Sequence, residues 1–537
     1  MIDTGMHPME KREFFALGGL LLLLLPFYFW LASAGAGIYA SPDETANAIT
    51  IRQLDWYGRI SVAEPLAKEF PWMHPRSYVS QGDVIAPVGF LGWPWFISVF
   101  ILILGQGMVP VLATLAAVSM AVPLYGLLRR FGSAAAFAGV IVGMTFPTMI
   151  LLGNRALFPQ VGVLVLGMWA MFFLSRLQSK DAPWKFGAIG FLGALALAAR
   201  PTEIVWLIPW FAWFAKDLRP DRKRIVSACI GALIPLMLIG FHAQMSYGGF
   251  WKSGYTAHDN GSTEMISPSV VSSAANDPTR SIIFPFGIHP KALVWNVWSF
   301  LFRLLFPWTV LLIVAGFVIA RDVHATRYAL RDTLLERLKQ HAVPLLALWT
   351  VGFLVLYYGQ GLYTDNVQRG AVTIANSFVR YLLPLAPLAA LATAYLFQKY
   401  QDRPRSFFAL VGLVMVLSGY GAWVALARDN EGLIATRGEL VRYQEIRRLA
   451  NERFGPTDLI LSERSDKIFF PDHRASLIPA TAEVARLSKA HPEIRIGLFA
   501  RPLSQSQTDA WRMVGFEPTE LFVSGREKLY SLLPIRR

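Results

Sequence analysis

The sequence predicts a polytopic α-helical membrane protein, and two observations carry this prediction. Hydrophobic residues make up 54% of the 537 residues and charged residues only 16%, whereas a soluble domain carries about 25% charged residues. The apolar residues also form long uninterrupted runs, such as 20–32, 225–241 and 308–320. Since a helix needs about 20 apolar residues to cross the hydrocarbon layer, runs of this kind are typical of membrane spans.

The basic residues give the chain a net charge of +14, but their distribution does not favour nucleic-acid binding. They lie in blocks between apolar runs, such as the block within 216–224, which is the positive-inside pattern of a membrane protein. We therefore expect membrane lipid, and no nucleic acid, among the partners. The single cysteine, Cys229, excludes an internal disulfide and a Cys/His metal cluster.

About eleven transmembrane helices are expected. The first lies within 14–39 and is expected to stay uncleaved; the others are expected near 107–128, 133–153, 158–176, 186–200, 201–215, 225–246, 299–320, 342–359, 380–398 and 406–427. This assignment places the basic loops in the cytoplasm. It requires that the apolar segment 88–105, which is interrupted by Pro87 and by Gly-Trp-Pro at 92–94, is re-entrant or interfacial.

Two domains follow from this topology: 1–427 forms the transmembrane domain, and 428–537 forms a small C-terminal α/β domain in the periplasm. The tail alternates the strand-like runs 459–461, 494–499 and 529–533 with helix-like stretches, which is the pattern of an α/β unit. The first external loop, 41–86, has apolar residues at near-helical spacing from Ile51 to Ala67, which predicts amphipathic helix along the membrane surface.

The first candidate site is Ser41-Pro-Asp-Glu-Thr at the outer end of the first span. The carboxylates of Asp43 and Glu44, placed after a turn-forming Ser-Pro, suit a general base or a cation ligand. Asp43 would also suit the N-cap of an interfacial helix, and the spacing leaves both interpretations open. His74 lies where the mouth of a substrate cavity is expected, and His258, Asp259 and Glu264 offer weaker acceptor contacts in a second external loop.

Three arginines lie at the outer ends of later spans: Arg155, Arg200 and Arg380. Each could simply extend its charge to the interface, because a cation inside the bilayer is costly. The planar guanidinium also suits phosphate recognition. Their position on the same predicted side as the carboxylate pair favours a binding role.

Three short motifs resemble the GT-C glycosyltransferases, which include protein O-mannosyltransferases and the aminoarabinose transferase that modifies lipid A. They are Pro42-Asp43-Glu44-Thr45, Ala199-Arg200-Pro201-Thr202 and Arg380-Tyr381-Leu382-Leu383-Pro384. The resemblance covers about residues 14–427 and implies a GT-C-like bundle with external amphipathic helices. It also implies an inverting glycosyltransferase that moves a sugar from a polyprenyl-phosphate carrier to an acceptor hydroxyl of a glycan, lipid or protein.

The same resemblance assigns roles to residues. Asp43 matches the catalytic aspartate, Glu44 is its motif neighbour, and Arg380 with Tyr381, Arg200 and Arg155 would neutralise the donor phosphate. Phe158 stands where relatives carry another acid, so a metal-free mechanism gains weight: no cofactor is expected to be required, although a divalent cation stays possible. The expected location is a bacterial-type inner (plasma) membrane, with the N-terminus in the cytoplasm and the reaction on the periplasmic face.

The main alternative is a transporter or flippase of a lipid-linked or polar solute. That class usually shows related halves and ionisable residues near the midpoints of its spans. Acids at such midpoints are nearly absent here, and the sequence shows no convincing internal repeat. The enzyme is therefore the favoured interpretation, with the sugar and the acceptor open.

Overall fold

The computed structural model describes residues 10–31, 34, 35, 37–257, 286–327, 334–363 and 371–535. Helices predominate, and those of the first half are Lys11–Tyr28, Pro42–Tyr57, Gly92–Leu104, Val109–Ser119, Ala121–Leu128, Ser133–Met144, Pro147–Asn154, Pro159–Arg176, Pro183–Ala199, Ile204–Ala215, Arg222–Tyr247 and Gly254–Ala257. Those of the second half are Pro290–Asn296, Phe306–Arg327, Leu334–Phe353, Ser377–Tyr381, Leu385–Tyr400, Pro404–Leu426, Leu433–Asn451, Asp466–Phe469, Thr481–Ala490 and Gln505–Met513.

Among the described residues, four helices are long and apolar enough to cross a membrane: Gln106–Phe131, Pro159–Arg176, Arg222–Tyr247 and Pro404–Leu426. Three bent helix pairs bring the number to as many as seven when each pair is counted as one span. The membrane character is thus supported, whereas the expected count of about eleven exceeds what length and composition give. The difference arises because several expected spans are short or sharply bent.

The bend at Arg200 is the sharpest of the three. The helices on either side of it, Pro183–Ala199 and Pro201–Ala215, meet at 118°, where the sequence predicts a tip between two short half-helices. Pro201 begins the second segment, and Arg200 has an extended backbone that ends the first one. The bend presents the Arg200 side chain at the end of the bundle, as expected.

The apolar helix Gly92–Leu104 has both of its ends on one side of the bundle. At its start, Gly92 packs so closely on the backbone of Ala199 that an added Cβ would lie 2.3 Å from the Ala199 nitrogen. Just after its end, the Gln106 side chain donates a hydrogen bond to Asp55. Its 13 residues span only about 20 Å, which is less than the hydrocarbon thickness of about 30 Å. This geometry agrees with an interfacial segment that does not cross.

The opposite end of the bundle carries a short turn with two basic residues, Arg129 and Arg130, which we call the basic turn. Arg129 forms an ion pair of 2.8 Å with Glu13 at the start of the first helix. At the other end of that helix, the Tyr28 hydroxyl donates to the Met144 carbonyl at 2.7 Å, and the Leu31 amide donates to Asn154 at 3.1 Å. The first helix therefore runs from the basic turn to the end of the bundle that carries Asp43 and Glu44, which we call the acidic motif.

The first external loop is only partly helical. Its helix Pro42–Tyr57 ends at Gly58, whose φ of 61° is the left-handed conformation common at helix ends. Three short strands follow, β1 (Val62–Ala63), β2 (Tyr78–Gln81) and β3 (Val84–Pro87), in the antiparallel order β1-β3-β2. The helical spacing that the sequence shows beyond Gly58 is therefore misleading, because such short strands carry no period of their own.

Residues 433–535, which we call the C-terminal unit, contain a five-stranded sheet. Its strands are β4 (Leu459–Ser462), β5 (Arg474–Leu477), β6 (Ile496–Ala500), β7 (Phe516–Ser524) and β8 (Glu527–Pro534), in the order β5-β4-β6-β8-β7. β4 pairs in parallel with β5 and β6, and β8 is antiparallel to β6 and β7. The three strand-like runs of the sequence coincide with β4, β6 and β8, whereas β5 and β7 were not expected.

The C-terminal unit packs on the first external loop. Arg474 pairs with Glu64 at 3.1 Å, and Arg76 pairs with Asp466 at 2.7 Å. Apolar residues of the two segments also share one buried cluster, which includes Ile49. The C-terminal unit therefore sits at the same end of the bundle as the acidic motif.

This arrangement predicts that the tail and the acidic motif lie on the same outer side of the membrane. In a Cys229→Ser background, Ser506→Cys should react with an impermeant thiol reagent in intact spheroplasts, because Ser506 is exposed in the C-terminal unit. The control is Gln178→Cys, exposed in the basic loop 176–185, which should react only after lysis. The reverse labelling pattern would contradict the topology.

Candidate functional site

The acidic motif opens the helix Pro42–Tyr57. Ser41 is the N-cap, since its Oγ accepts a hydrogen bond from the Asp43 amide at 3.1 Å, and Pro42 occupies the first turn. Proline suits this position because its missing N–H would have no helical partner there. The interpretation in which Asp43 merely caps the helix is therefore wrong: Ser41 caps it, and the Asp43 carboxylate is left for other contacts.

Asp43 is held from two sides. Its Oδ1 accepts a hydrogen bond of 2.6 Å from the Ser77 hydroxyl, and its Oδ2 accepts one of 2.9 Å from Nη1 of Arg380. Protein atoms surround the carboxylate, yet 43% of its side-chain surface stays exposed, so it lies in an open recess. Burial raises its pKa, but Arg380 and the Ser77 hydrogen bond outweigh burial and hold the pKa below the usual value for aspartate.

Glu44 turns to a different arginine. Its Oε2 accepts a hydrogen bond from Nε of Arg155 at 2.9 Å and lies 2.8 Å from Nη2 in the same ion pair. The Glu44 side chain is only 4% exposed. Burial raises the pKa of Glu44 above its usual value, although the charge of Arg155 opposes that shift. This pair is closed to solvent, in contrast with Asp43 and Arg380.

Phe158 lies between the two arginines. Its ring centre is 4.9 Å from Cζ of Arg155 and 5.3 Å from Cζ of Arg380, so both guanidiniums are within the range of a cation–π contact. The Asn47 amide holds the chain beside this ring by donating to the Leu157 carbonyl at 2.8 Å. At the position where the resemblance expects an acid, this chain therefore places an aromatic surface for two cations.

Arg200 extends the same pattern. It forms an ion pair of 2.9 Å with Glu203, and its Cζ lies 4.4 Å from the ring centre of Tyr381. That ring is also 5.6 Å from Cζ of Arg380, and it stacks on Tyr358 at 4.3 Å and 14°. Tyr381 thus separates Arg200 from Arg380 as Phe158 separates Arg380 from Arg155.

We call the five residues Arg155, Phe158, Arg380, Tyr381 and Arg200 the arginine row. Three guanidiniums alternate with two aromatic rings along it, and each guanidinium has its own carboxylate. The carboxylates of the two outer pairs are 4% exposed, whereas that of the central pair is 43% exposed. The central pair, Arg380 with Asp43, is therefore the one that a ligand can reach most readily.

Aromatic residues border this recess. The ring of Tyr255 lies 5.2 Å from that of Phe90, measured between ring centres, and about half of its surface is exposed. Desolvation by the surrounding protein, together with the nearby charge of Asp43, raises the pKa of Tyr255. Phe286 lies 6.1 Å from Tyr363 and 6.3 Å from Tyr381, measured between ring centres. These rings give the recess an apolar wall beside its charges.

The remaining candidates fall elsewhere. His74 is buried in the loop that carries Ser77, with its Nδ1 3.0 Å from the Pro75 carbonyl. His258, Asp259 and Glu264 lie outside the described residues. In the part of the chain that is described, no group of three His, Cys, Asp or Glu side chains could hold a metal ion, so the need for a divalent cation stays open.

Sequence reasoning missed several partners in the site. Ser77 carries no motif, and it meets Asp43 only because β2 and its preceding turn fold back over the start of the helix. Glu203 likewise belongs to none of the three sequence motifs. Its position three residues after Arg200, within a helical turn, is the one signal that could have predicted this ion pair.

The two neighbouring carboxylates should respond differently to neutralisation. Glu44→Gln leaves Arg155 buried without its charge partner, so it should lower the free energy of unfolding by roughly 3 kcal/mol. Asp43→Asn changes an open side chain and should have little effect on stability. The measurement is thermal unfolding in detergent, with the double variant Glu44→Gln/Arg155→Gln expected to lose less than the sum of its single changes. Equal destabilisation by Asp43→Asn would contradict this division.

Comparisons with known proteins identify solved structures that have the same fold. No protein-family model matches the sequence, and no curated protein matches it. The structure is similar to a crystal structure of ArnT from Cupriavidus metallidurans in the apo state, with a TM-score of 0.50, 12% identity and coverage of 96% of this chain and 98% of that chain. It is also similar to ArnT from the same organism bound to undecaprenyl phosphate, with a TM-score of 0.51, 11% identity and coverage of 97% and 98%. The chain therefore has the fold of these ArnT structures, as the resemblance of its sequence motifs predicts.

Proposed function

We propose that the chain is an inverting membrane glycosyltransferase that moves a sugar from a polyprenyl-phosphate carrier to an acceptor hydroxyl. The observation that carries the proposal is the open pair Arg380–Asp43 at the centre of the arginine row. A cation that suits phosphate and a carboxylate that suits a hydroxyl proton stand side by side there. The similarity to ArnT, which has been crystallised with undecaprenyl phosphate, supports a carrier of this class.

Arg380 would bind the donor phosphate. When the bond between the sugar and the carrier breaks, negative charge develops on the leaving phosphate, and a fixed guanidinium stabilises that charge. The planar fork of arginine can donate two parallel hydrogen bonds to phosphate oxygens. In the structure one of its nitrogens already donates to Asp43, so the phosphate would share the guanidinium with the base.

Asp43 would act as the general base. The acceptor oxygen attacks the anomeric carbon on the face opposite the phosphate, the carrier phosphate leaves, and Asp43 takes the hydroxyl proton. Each carboxylate oxygen has a second lone pair, so the bonds from Ser77 and Arg380 leave room for the acceptor. A phosphate at Arg380 would also weaken the ion pair between Arg380 and Asp43. The pKa of Asp43 would then rise, so Asp43 would be a stronger base when the donor is bound.

The outer arginines would support this centre. Arg155 and Arg200 keep their own carboxylates, so their charges are neutralised locally and their role would be to hold Phe158 and Tyr381 in position. Glu44 would act by orienting Arg155, and His74 by shaping the loop beneath Ser77. Because Arg380 can offer its charge to the leaving phosphate, we expect transfer without a required cofactor, with a divalent cation as an optional addition.

The acceptor is proposed to be a glycan, lipid or protein hydroxyl on the periplasmic face of a bacterial-type inner membrane. The N-terminus would then lie in the cytoplasm, and the C-terminal unit would lie beside the site in the periplasm. A flippase built on the same fold would move the lipid-linked sugar without breaking its phosphate bond. Release of the carrier phosphate in a transfer assay therefore separates the two activities.

Removal of the base should abolish transfer. Asp43→Asn keeps the size of the side chain but cannot accept a proton, so turnover should fall by roughly 10²–10⁴-fold while the thermal midpoint stays near that of the parent. The matched control is Asp83→Asn, an exposed aspartate of the same loop, which should keep full activity. The measurement is sugar transfer by purified protein from a panel of polyprenyl-phosphate sugars. Normal turnover of folded Asp43→Asn would contradict the assignment of Asp43 as the general base.

Arginine-to-lysine changes should show how much each arginine of the row contributes to activity. Lysine keeps the charge but loses the planar fork, so we expect Arg380→Lys to lose most activity, Arg200→Lys less and Arg155→Lys least. A loss in the transition state lowers kcat and kcat/KM together, whereas a loss of donor binding raises KM. The control is Arg512→Lys, whose Arg–Glu pair with Glu517 lies on the surface of the C-terminal unit. Parent-like activity of all three row variants would mean that these arginines only anchor the protein at the interface.

A further inference from the structure

We propose that the C-terminal unit positions the Asp43 carboxylate through two consecutive residues, Asp466 and Lys467. Both belong to the short helix Asp466–Phe469 that follows β4. Asp466 holds the segment that supplies the hydroxyl bound to Asp43, and Lys467 holds the segment that caps its helix. The inference rests on the proposed role of Asp43 as the base, and it makes the tail part of the catalytic machinery without contact with substrate.

The first contact fixes Arg76. The Asp466 carboxylate is fully buried, and its two oxygens accept from two groups of one residue: the Arg76 amide donates to Oδ2 at 2.7 Å, and Nε of Arg76 donates to Oδ1 at 2.7 Å. Hydrogen bonds to a charged acceptor are the strong ones. The backbone of Arg76, and so the residue after it, is therefore tied to the C-terminal unit.

That next residue is Ser77, and its backbone is strained. Its φ of 63° lies in the left-handed region, which is unfavourable for a residue with a Cβ and persists only where the surroundings enforce it. Two contacts enforce it here. Asp466 holds the preceding amide, and the Val88 amide donates to the Ser77 carbonyl at 2.8 Å. In this conformation the Ser77 hydroxyl lies 2.6 Å from Oδ1 of Asp43.

The second contact reaches Asp43 from the other side. The Lys467 ammonium donates to the carbonyl of Ala40, which directly precedes the N-cap Ser41. Burial, with the charges of Arg76 and Arg155, lowers the pKa of Lys467 to about 7. An amine donates a hydrogen bond in either protonation state, so this contact does not require the charge.

Other contacts attach the C-terminal unit to the loop without leading to Asp43. Arg474 pairs with Glu64, and Trp72 donates to Glu483 at 3.3 Å. General docking of the unit therefore has its own supports. Loss of the Asp466 or Lys467 contact should shift the base rather than detach the unit, and a displacement of about 1 Å can cost on the order of 10²-fold in rate.

The first test compares two buried aspartates of the same unit. Asp466→Asn should lower kcat about tenfold or more with KM little changed, measured at a temperature at which the variants are fully folded. The control is Asp458→Asn, since Asp458 is likewise buried and accepts from the Gly455 and Arg495 amides at 2.7 and 3.1 Å. It should keep the kcat of the parent. Equal kcat values for the two variants would overturn the proposal.

The second test asks whether Asp466 acts through Ser77. Ser77→Ala removes the hydroxyl, so the double variant Asp466→Asn/Ser77→Ala should be no slower than Ser77→Ala alone. Effects that multiply would show that Asp466 acts by another route. At the other contact, Lys467→Met should lower kcat, and Lys467→Gln, which can still donate to Ala40, should restore part of it. Indistinguishable Met and Gln variants would overturn the role of Lys467.

A measurement that does not depend on catalysis tests this inference independently of the proposed function. Hydrogen exchange followed by mass spectrometry on the full chain should show faster exchange at 74–80 in Asp466→Asn and at 38–46 in Lys467→Met, and no such change in Asp458→Asn. Failure of every donor to react in the parent would refute the proposed function while leaving this measurement intact. Unchanged exchange at 74–80 in Asp466→Asn and at 38–46 in Lys467→Met would refute the positioning.

Discussion

Three arginines lie at one end of an apolar bundle, and the structure depends on how their charges are paired. A buried charge is tolerated only with a partner, and here the partners are Asp43, Glu44 and Glu203. Asp43 and Glu44 are consecutive on one helix, so their side chains diverge by about 100° and reach arginines on opposite sides of Phe158. One helix start thereby joins two distant segments of the chain.

The three pairs are not equivalent, and the proposed chemistry rests on the difference in their exposure. Two of them are closed and act as fixed supports, while the pair of Asp43 with Arg380 stays open to a ligand. An anion that enters must compete with Asp43 for the same guanidinium. In the proposed mechanism, donor binding and activation of the base are therefore linked by one shared cation, without a second carboxylate beside Phe158.

The sequence predicted the parts of this site that depend on local pattern. The membrane class follows from apolar runs, and Asp43, Arg200 and Arg380 follow from short motifs at their ends. Pairings across the chain had no such signal: Asp43 and Arg380 are separated by 337 residues, and Arg76 and Asp466 by 390. Short strands such as β1 were also beyond reach, because composition does not set strand pairing, and at Arg200 the sequence predicted the tip but not its angle of 118°.

A structure of the full chain with undecaprenyl phosphate would test the central proposal most directly. We expect density for the phosphate within hydrogen-bond distance of the Arg380 guanidinium, in the recess that also contains the Asp43 carboxylate. The Arg380–Asp43 contact of 2.9 Å should lengthen when the phosphate shares the guanidinium. A phosphate bound at another place, such as the basic turn at Arg129, with the Arg380–Asp43 pair unchanged, would contradict the proposed donor site.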